Sequence, residues 1–366
     1  MEKVYELLLL FSSYLILGVI NVFMPYFTRR TESFGVSIPE EVYEEEILKT
    51  LRKDYVTLSS VIVLIITIIF SYLFFSRPPE MGINYFTIGL FVLLLALFAV
   101  YLKFHFQMKA IKAEKGWYEG KSQTVVMDTN FRNEKLIYTN LWFIIPFIIT
   151  VIMAILTYIN YDKIPGQIPT HFDFKGNATS WKEKSYFTVF WPTLTQLFMI
   201  GLFICVNTII GKAKQQISAT NPERSIAQNR IFRKRWSLFT VIMGSATVLL
   251  FAFVQLTLIY RLSPLVMTAV IGIFTLGAIL GSVYLSITTG QGGSRIKVTR
   301  GLDGQEIDRD DDKYWKLGQF YFNPEDPAVF IEKRFGIGWT MNFARLKGWL
   351  YILLLLLFIM FFVYMF

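Results

Sequence analysis

Apolar residues run along this chain in long blocks, not at the three- to four-residue spacing of a soluble amphipathic helix. A membrane-crossing helix needs about 20 mostly apolar residues. Eight blocks qualify, near 5–27, 56–75, 83–103, 138–159, 186–210, 237–260, 264–287 and 349–366. The pattern predicts an all-α polytopic membrane protein with eight transmembrane helices. The connections at 76–82 and 261–264 are short enough to make antiparallel hairpins of helices 2–3 and 6–7. The first block leads into Pro25 and Arg29-Arg30 with no small-residue cleavage site, so a retained helix is expected rather than a signal peptide.

Composition removes the soluble alternative. Of 366 residues, 54% are hydrophobic and 17% charged, against about 25% charged in an ordinary soluble protein. The net charge of +9 becomes an orientation signal once it is sorted by loop. The segments after blocks 1, 3, 5 and 7 hold 29 of the 36 basic residues, and all other segments hold 7. The first set is expected in the cytoplasm and both termini outside.

Candidate chemistry is sparse. One cysteine, Cys205, excludes an internal disulfide, and two histidines, His105 and His171, argue against a His-rich metal site. No metal and no cofactor are expected. The eight cores lack the ionisable residues that mark ion or proton paths. They do hold Asn21, Gln196, Asn207 and Gln255, expected to bond between helices, and the close-packing pair Gly277 and Gly281.

Between the blocks, Ser37-Ile38-Pro39-Glu40 reads as a capping box opening an amphipathic cytoplasmic helix over 38–55, with Val42, Ile47, Leu51 and Tyr55 on one stripe. The run Arg230 to Trp236 suits anionic lipid headgroups; nucleic acid is not an expected partner. Segment 288–348 is expected to form a small cytoplasmic α/β or β-rich aromatic subdomain between helices 7 and 8. Within it, 290–293 reads as a flexible linker and 295–304 as a hairpin. Asp308, Asp310 and Asp312 fail the calcium-loop pattern, because Lys313 stands where glycine is needed and Gln319 where the bidentate glutamate belongs; a solvated acidic turn is expected.

The loop 160–185 is expected outside. Pro165 and Pro169 exclude helix, and 170–174 looks extended, with His171 and Asp173 projecting to one face. Gly176 marks a turn, and Trp181 and Lys184 return the chain to the membrane edge. The expected ligand-contacting residues are Pro169, His171, Asp173, Gly176, Trp181 and Lys184. Loop stabilisation by His171 is the plainer alternative.

Residues 168–173, Gly176, Trp181, Lys184 and Pro192 resemble a bacterial membrane domain of unassigned function found in SdpI-type immunity proteins, over about 138–195. Thr179, Ser180 and Glu183 depart from that pattern. Segments 311–324 and 332–343 resemble a second module of unassigned function in Firmicute membrane proteins, over about 305–345. Trp315, Arg334, Phe335 and Trp339 in it are the expected contacts to an inner partner. The resulting organisation is helices 1–3 with the amphipathic helix (1–137), the SdpI-like helix–loop–helix unit (138–210), a basic loop with helices 6–7 (211–287), the aromatic subdomain (288–348) and helix 8 (349–366).

The resemblance implies a non-enzymatic protein of a Gram-positive plasma membrane. It would sense, or give immunity to, a secreted peptide, toxin or envelope-active compound, with a regulator as inner partner. The alternative is a transporter or flippase of an amphiphile. A membrane enzyme would have only His171 and Asp173 to work with outside.

Overall fold

The computed structural model describes residues 2–76, 79–119, 123–124, 135–172, 178–260, 262, 264–298, 307–308 and 310–365; at 2–11, 79–80, 83, 123–124, 171–172, 179, 264–265, 307–308 and 362–365 it describes the backbone only. Helices are α1 (Glu2–Val22), α2 (Glu46–Ser76), α3 (Pro79–Lys115), α4 (Ile144–Ile159), α5 (Tyr186–Lys212), α6 (Pro222–Ile259), α7 (Pro264–Thr289) and α8 (Leu346–Met365). Strands are short: β1 (Glu32–Ser33), β2 (Val36–Ser37), β3 (Gln123–Thr124), β4 (Gln167–Phe172), β5 (Ala178–Glu183), β6 (Ile307–Asp308), β7 (Trp315–Lys316), β8 (Phe320–Tyr321), β9 (Phe330–Glu332) and β10 (Trp339–Met341).

A helix therefore forms at each apolar block. Six of them, α2 to α7, are long and apolar enough to cross a membrane; the outermost two give the shorter apolar stretches Ser12–Val22 and Leu346–Phe361. The chain is a multi-pass membrane protein with at least these six candidate spans. Helices α2, α3 and α6 run past the apolar blocks into the polar segments. No proline or glycine interrupts 46–55, 104–115 or 222–236 after the first residue, so nothing local ends the helix at the block's edge.

Two compact units emerge, and they cut across the linear organisation expected from the blocks. The first comprises 1–129, 214–229 and 286–348. In it Tyr14, Val22, Val63, Ile66, Leu93 and Leu97 form the core of the α1–α2–α3 bundle. A polar cap joins the segments that follow blocks 1, 3, 5 and 7. Its strands pair as β1–β2, β7–β8 and β9–β10, all antiparallel, and β3–β6, parallel. The β1–β2 turn is Phe34-Gly35, both at positive φ (48° and 76°), the two-residue geometry that matches strand twist. Phe34 is held in that strained backbone by burial: its ring lies 5.3 Å from Tyr55, 5.5 Å from Phe104 and 6.0 Å from Phe335.

The second unit comprises 130–213, 230–285 and 349–366. It holds α4, α5, most of α6 and α7, and the β4–β5 hairpin. Phe143, Ile200, Val241 and Val248 form its mid-bundle core.

Several local expectations change. The helix expected over 38–55 is a 3-10 turn at Glu40–Glu44, an extended break at Glu45 (ψ 145°) and then α2; Ser37 lies in β2 and caps nothing. The linker 290–293 is an ordered turn. Gln291 is buried, donating to the Lys333 and Gly338 carbonyls (3.2 and 2.9 Å) and accepting from the Gly338 N–H at 2.7 Å. Residues 295–298 form turn and coil rather than a strand, and the rest of that expected hairpin lies outside the described residues. Asn21 bonds the Leu17 carbonyl of its own helix (2.8 Å) rather than reaching across.

Candidate functional site

The β4–β5 hairpin stands on a small apolar base. Ile164 and Ile168 are buried with Val189 of α5, against Tyr161, Phe190, Leu258 and Ile259. Lys184 clamps the base: its ammonium donates to the Ile164 carbonyl at 3.0 Å and lies 4.4 Å from the centre of the Tyr161 ring, which stacks on Tyr186 at 4.5 Å. Ser185 then caps α5, accepting the Thr188 N–H at 3.1 Å. Lys184 is thus part of the hairpin's support, and the ordering of its long side chain is repaid by a carbonyl and a ring.

The register pairs Pro169 with Trp181 and His171 with Ser180, so Thr170 is an extra residue on β4, a bulge. A proline such as Pro169 fits a two-stranded hairpin because each strand keeps one unpaired edge. Trp181, 55% exposed, is a large apolar group that the hairpin shows to its surroundings. His171 sits on β4 opposite Ser180, with its side chain outside the described residues, as are Asp173 and Gly176 altogether.

Beneath the hairpin lies a buried polar cluster. Thr193 and Gln196 are one and two turns down α5 from Val189, about 6 and 10 Å along the axis. Gln196 donates to Gln255 Oε1 at 2.9 Å; Gln255 Nε2 donates to Thr157 Oγ1 at 2.7 Å and Thr193 Oγ1 at 2.9 Å. All four residues are buried, and Gln196 Oε1 has no hydrogen-bond partner. The cluster ties α4, α5 and α6 together directly below the hairpin's base. It fulfils the expectation that Gln196 and Gln255 bond between helices.

The cap of the first unit is built on buried charge. Arg334, 1% exposed, pairs with Asp311 and Asp312, donates to Ser37 Oγ (2.8 Å) and the Gly35 carbonyl (3.2 Å), and lies 5.0 Å from the Trp315 ring centre. Asp312 also accepts from Lys112 of α3 at 2.6 Å and from the Ser37 N–H at 2.9 Å. Asp310, Asp311 and Asp312 are therefore half-buried counter-charges to Lys112 and Arg334 rather than a freely solvated turn. Burial pushes the Asp312 carboxyl up, but Arg334 and Lys112 outweigh it and hold it at about 2. A second guanidinium, Arg29, lies 3.0 Å from Glu332 and 3.5 Å from Glu32. Burial pushes Glu32 up to about 7 against the pull of Arg29 and Arg334. Lys214 reaches Asp326 at 2.6 Å, and Burial again works against the charge there, yet the Lys214 bond keeps Asp326 below the usual carboxylate range.

Of the four residues expected to meet an inner partner, Trp315, Arg334 and Phe335 are interior and join the C-terminal module to the β1–β2 hairpin. Trp339 is half-buried on β10. Among the described residues of the module, the exposed large apolar groups are Leu317, Phe320 and Phe322. The roles of Arg29, Glu32 and Glu332 were not foreseen. The signal was present in Arg29-Arg30 and Glu332, but Arg29 and Glu332 lie about 300 residues apart and only folding pairs them. Among the described residues no group of three or more His, Cys, Asp or Glu is arranged to hold a metal.

Residues 148–195, which hold most of α4, the hairpin and the start of α5, match a domain of unknown function (DUF1648). Residues 324–349 match a family of unknown function (DUF5808), covering β9, β10 and the entry to α8. No curated protein and no solved structure matches the chain.

Proposed function

We propose that this is a non-enzymatic protein of a Gram-positive plasma membrane that senses, or gives immunity to, a secreted peptide, toxin or envelope-active compound through the β4–β5 hairpin. One observation carries the reading. Trp181 is exposed on a hairpin that Ile164, Ile168 and Lys184 hold in place, so a large apolar ring is presented by a rigid support. The sequence resemblance of this segment to SdpI-type immunity proteins points the same way. The basic excess after blocks 1, 3, 5 and 7 supports an inward cap and an outward hairpin. The cap then offers Leu317, Phe320 and Phe322 to a regulator on the inner side.

The test is susceptibility of a deletion strain across secreted peptides and wall-active antibiotics, complemented by wild type or Trp181→Ala. Loss of protection on deletion that Trp181→Ala fails to restore, at normal protein level, is the expected result. Unchanged susceptibility throughout overturns the reading. Orientation is checked in a Cys205→Ser background: Glu183→Cys should label from outside intact cells and Lys316→Cys should not.

A transporter or flippase of an amphiphile is the second reading. It rests on Gln196 Oε1, an acceptor without a partner among apolar helices. If Gln196→Leu abolishes efflux of an amphiphile that the deletion strain accumulates, this reading replaces the first.

A further inference from the structure

In the second unit, the ends of α4, α5 and α6 opposite the hairpin are locked by a buried polar junction. Asn207 of α5 donates to the Tyr138 carbonyl (2.9 Å) and Asn140 Oδ1 (2.8 Å) and accepts from the Ser237 hydroxyl of α6 at 2.6 Å; that hydroxyl accepts the Tyr138 N–H at 2.8 Å. One turn further out, Arg233 is fully buried and donates to the Ile210 carbonyl in the last turn of α5. Ile137 packs close to Gly211: a Cβ on that glycine would lie 3.0 Å from the Ile137 side chain.

These contacts bring three lysines from three separate segments to one end of the bundle: Lys135, Lys212 and Lys234, all exposed. Arg233 serves the fold, and the three lysines are exposed cations at this level, with Arg235 exposed beside Lys234. The acids of this unit among the described residues are Asp162 and Glu183, both at the hairpin end. Just inside the lysines the surface turns apolar and exposed, at Leu141, Trp142, Ile145, Leu238 and Ile242. A cationic collar with no acid of this unit beside it among the described residues, bordered by an apolar belt with an indole in it, has the layering of a phospholipid: phosphate first, glycerol and chains next.

We infer that Lys135, Lys212 and Lys234 form a binding site for the headgroup phosphate of an anionic phospholipid, whose chains lie along Trp142, Leu238 and Ile242. The Asn207 junction fixes the spacing of the three segments that carry the lysines, so the lipid also bridges α5, α6 and the segment leading into α4 and stabilises their packing.

The experiment uses full-length protein in a neutral detergent, with thermal unfolding and native mass spectrometry read on addition of phosphatidylglycerol, phosphatidylcholine or inorganic phosphate. Wild type should retain and be stabilised by phosphatidylglycerol and not by the other two. Lys135→Gln/Lys212→Gln/Lys234→Gln should weaken that binding roughly fivefold per lysine, about a hundredfold in all, with unchanged unfolding in detergent alone; the triple arginine variant should restore it. A control of equal charge loss, Lys297→Gln/Lys313→Gln/Lys316→Gln in the first unit, should bind as wild type does. Equal weakening in the control, equal binding of phosphatidylcholine, or matching stabilisation by inorganic phosphate each overturns the inference.

Discussion

Replacing Arg334 by methionine keeps the volume of the cap's central side chain and deletes its charge. Asp311 and Asp312, which it pairs directly, then lose their guanidinium, and Glu32, 3.9 Å away, is left with Arg29. Ser37 Oγ and the Gly35 carbonyl lose a donor as well. Lys112 still holds Asp312 at 2.6 Å, so the loss is not that of every partner. Breaking a buried pair from one side costs about 3–5 kcal/mol. Arg334→Lys keeps the charge but cannot fork between Asp311, Asp312 and Ser37, and should recover only part of this. Native-state hydrogen exchange reads the effect on the cap amides of Phe322, Asn342 and Phe343, each bonded at 2.8 Å to another strand or turn of the module. A loss of that size lowers their protection by about two to four orders of magnitude. Exchange should rise together at Val36 and Ser37, because Arg334 is what ties the β1–β2 hairpin to the module. Protection within about threefold of wild type in Arg334→Met would refute the view that this ion cluster holds the cap together.

Glu32 gives a pH signature. Its folded value, about 7, lies above its ordinary 4.5, so the stabilisation it brings is full below pH 4.5 and is lost as pH rises through 7. Glu32→Gln should flatten that decline, worth up to about 3 kcal/mol, in cap stability followed by exchange between pH 5 and 8; a wild-type profile already flat there would dismiss it. Asp312 acts oppositely: held at about 2 against an ordinary 3.8, its contribution is present above pH 3.8 and disappears as pH falls toward 2. Gly35→Ala should destabilise the cap by about 1–3 kcal/mol from the positive φ alone, and by more because the new Cβ would lie 2.5 Å from the Gly318 carbonyl oxygen. Gly338→Ala, with open space around its Cβ, should show only the strain, and equal costs in limited proteolysis would contradict the interlocked turns. Gln255→Leu removes the donor to Thr157 and Thr193 and should lower thermal stability in micelles by about 1–2 kcal/mol; no change would mean the cluster is not a tie between α4, α5 and α6.

The helices were legible because hydropathy is a local property summed over about 20 residues, and each block carried its own signal. Gln196, Gln255 and Asn207 were legible as interhelical ties for a related reason: an amide in a membrane span has few partners other than another helix. The hairpin was half legible. Pro165 and Pro169 excluded helix, but the bulge at Thr170 and the clamp from Lys184 to Ile164 depend on packing against Val189, Leu258 and Ile259. Trp181 was expected at the membrane edge and lies 55% exposed on β5, while the support role of Lys184 was not foreseen.

The polar segments were the least legible. Ser37 looked like a helix cap and the aspartate run like a solvated turn, since each was judged by its neighbours in sequence. Folding overrode both by placing Arg334 between them, where Asp311, Asp312 and Ser37 offset the cost of burying its charge. Sequence alone thus determined that this chain carries many helices apolar enough for a multi-pass membrane protein, because apolar length adds up along the chain. Only the tertiary structure decided what the connecting segments are for: a charge buried in the cap is affordable solely where residues about 300 positions apart converge on it.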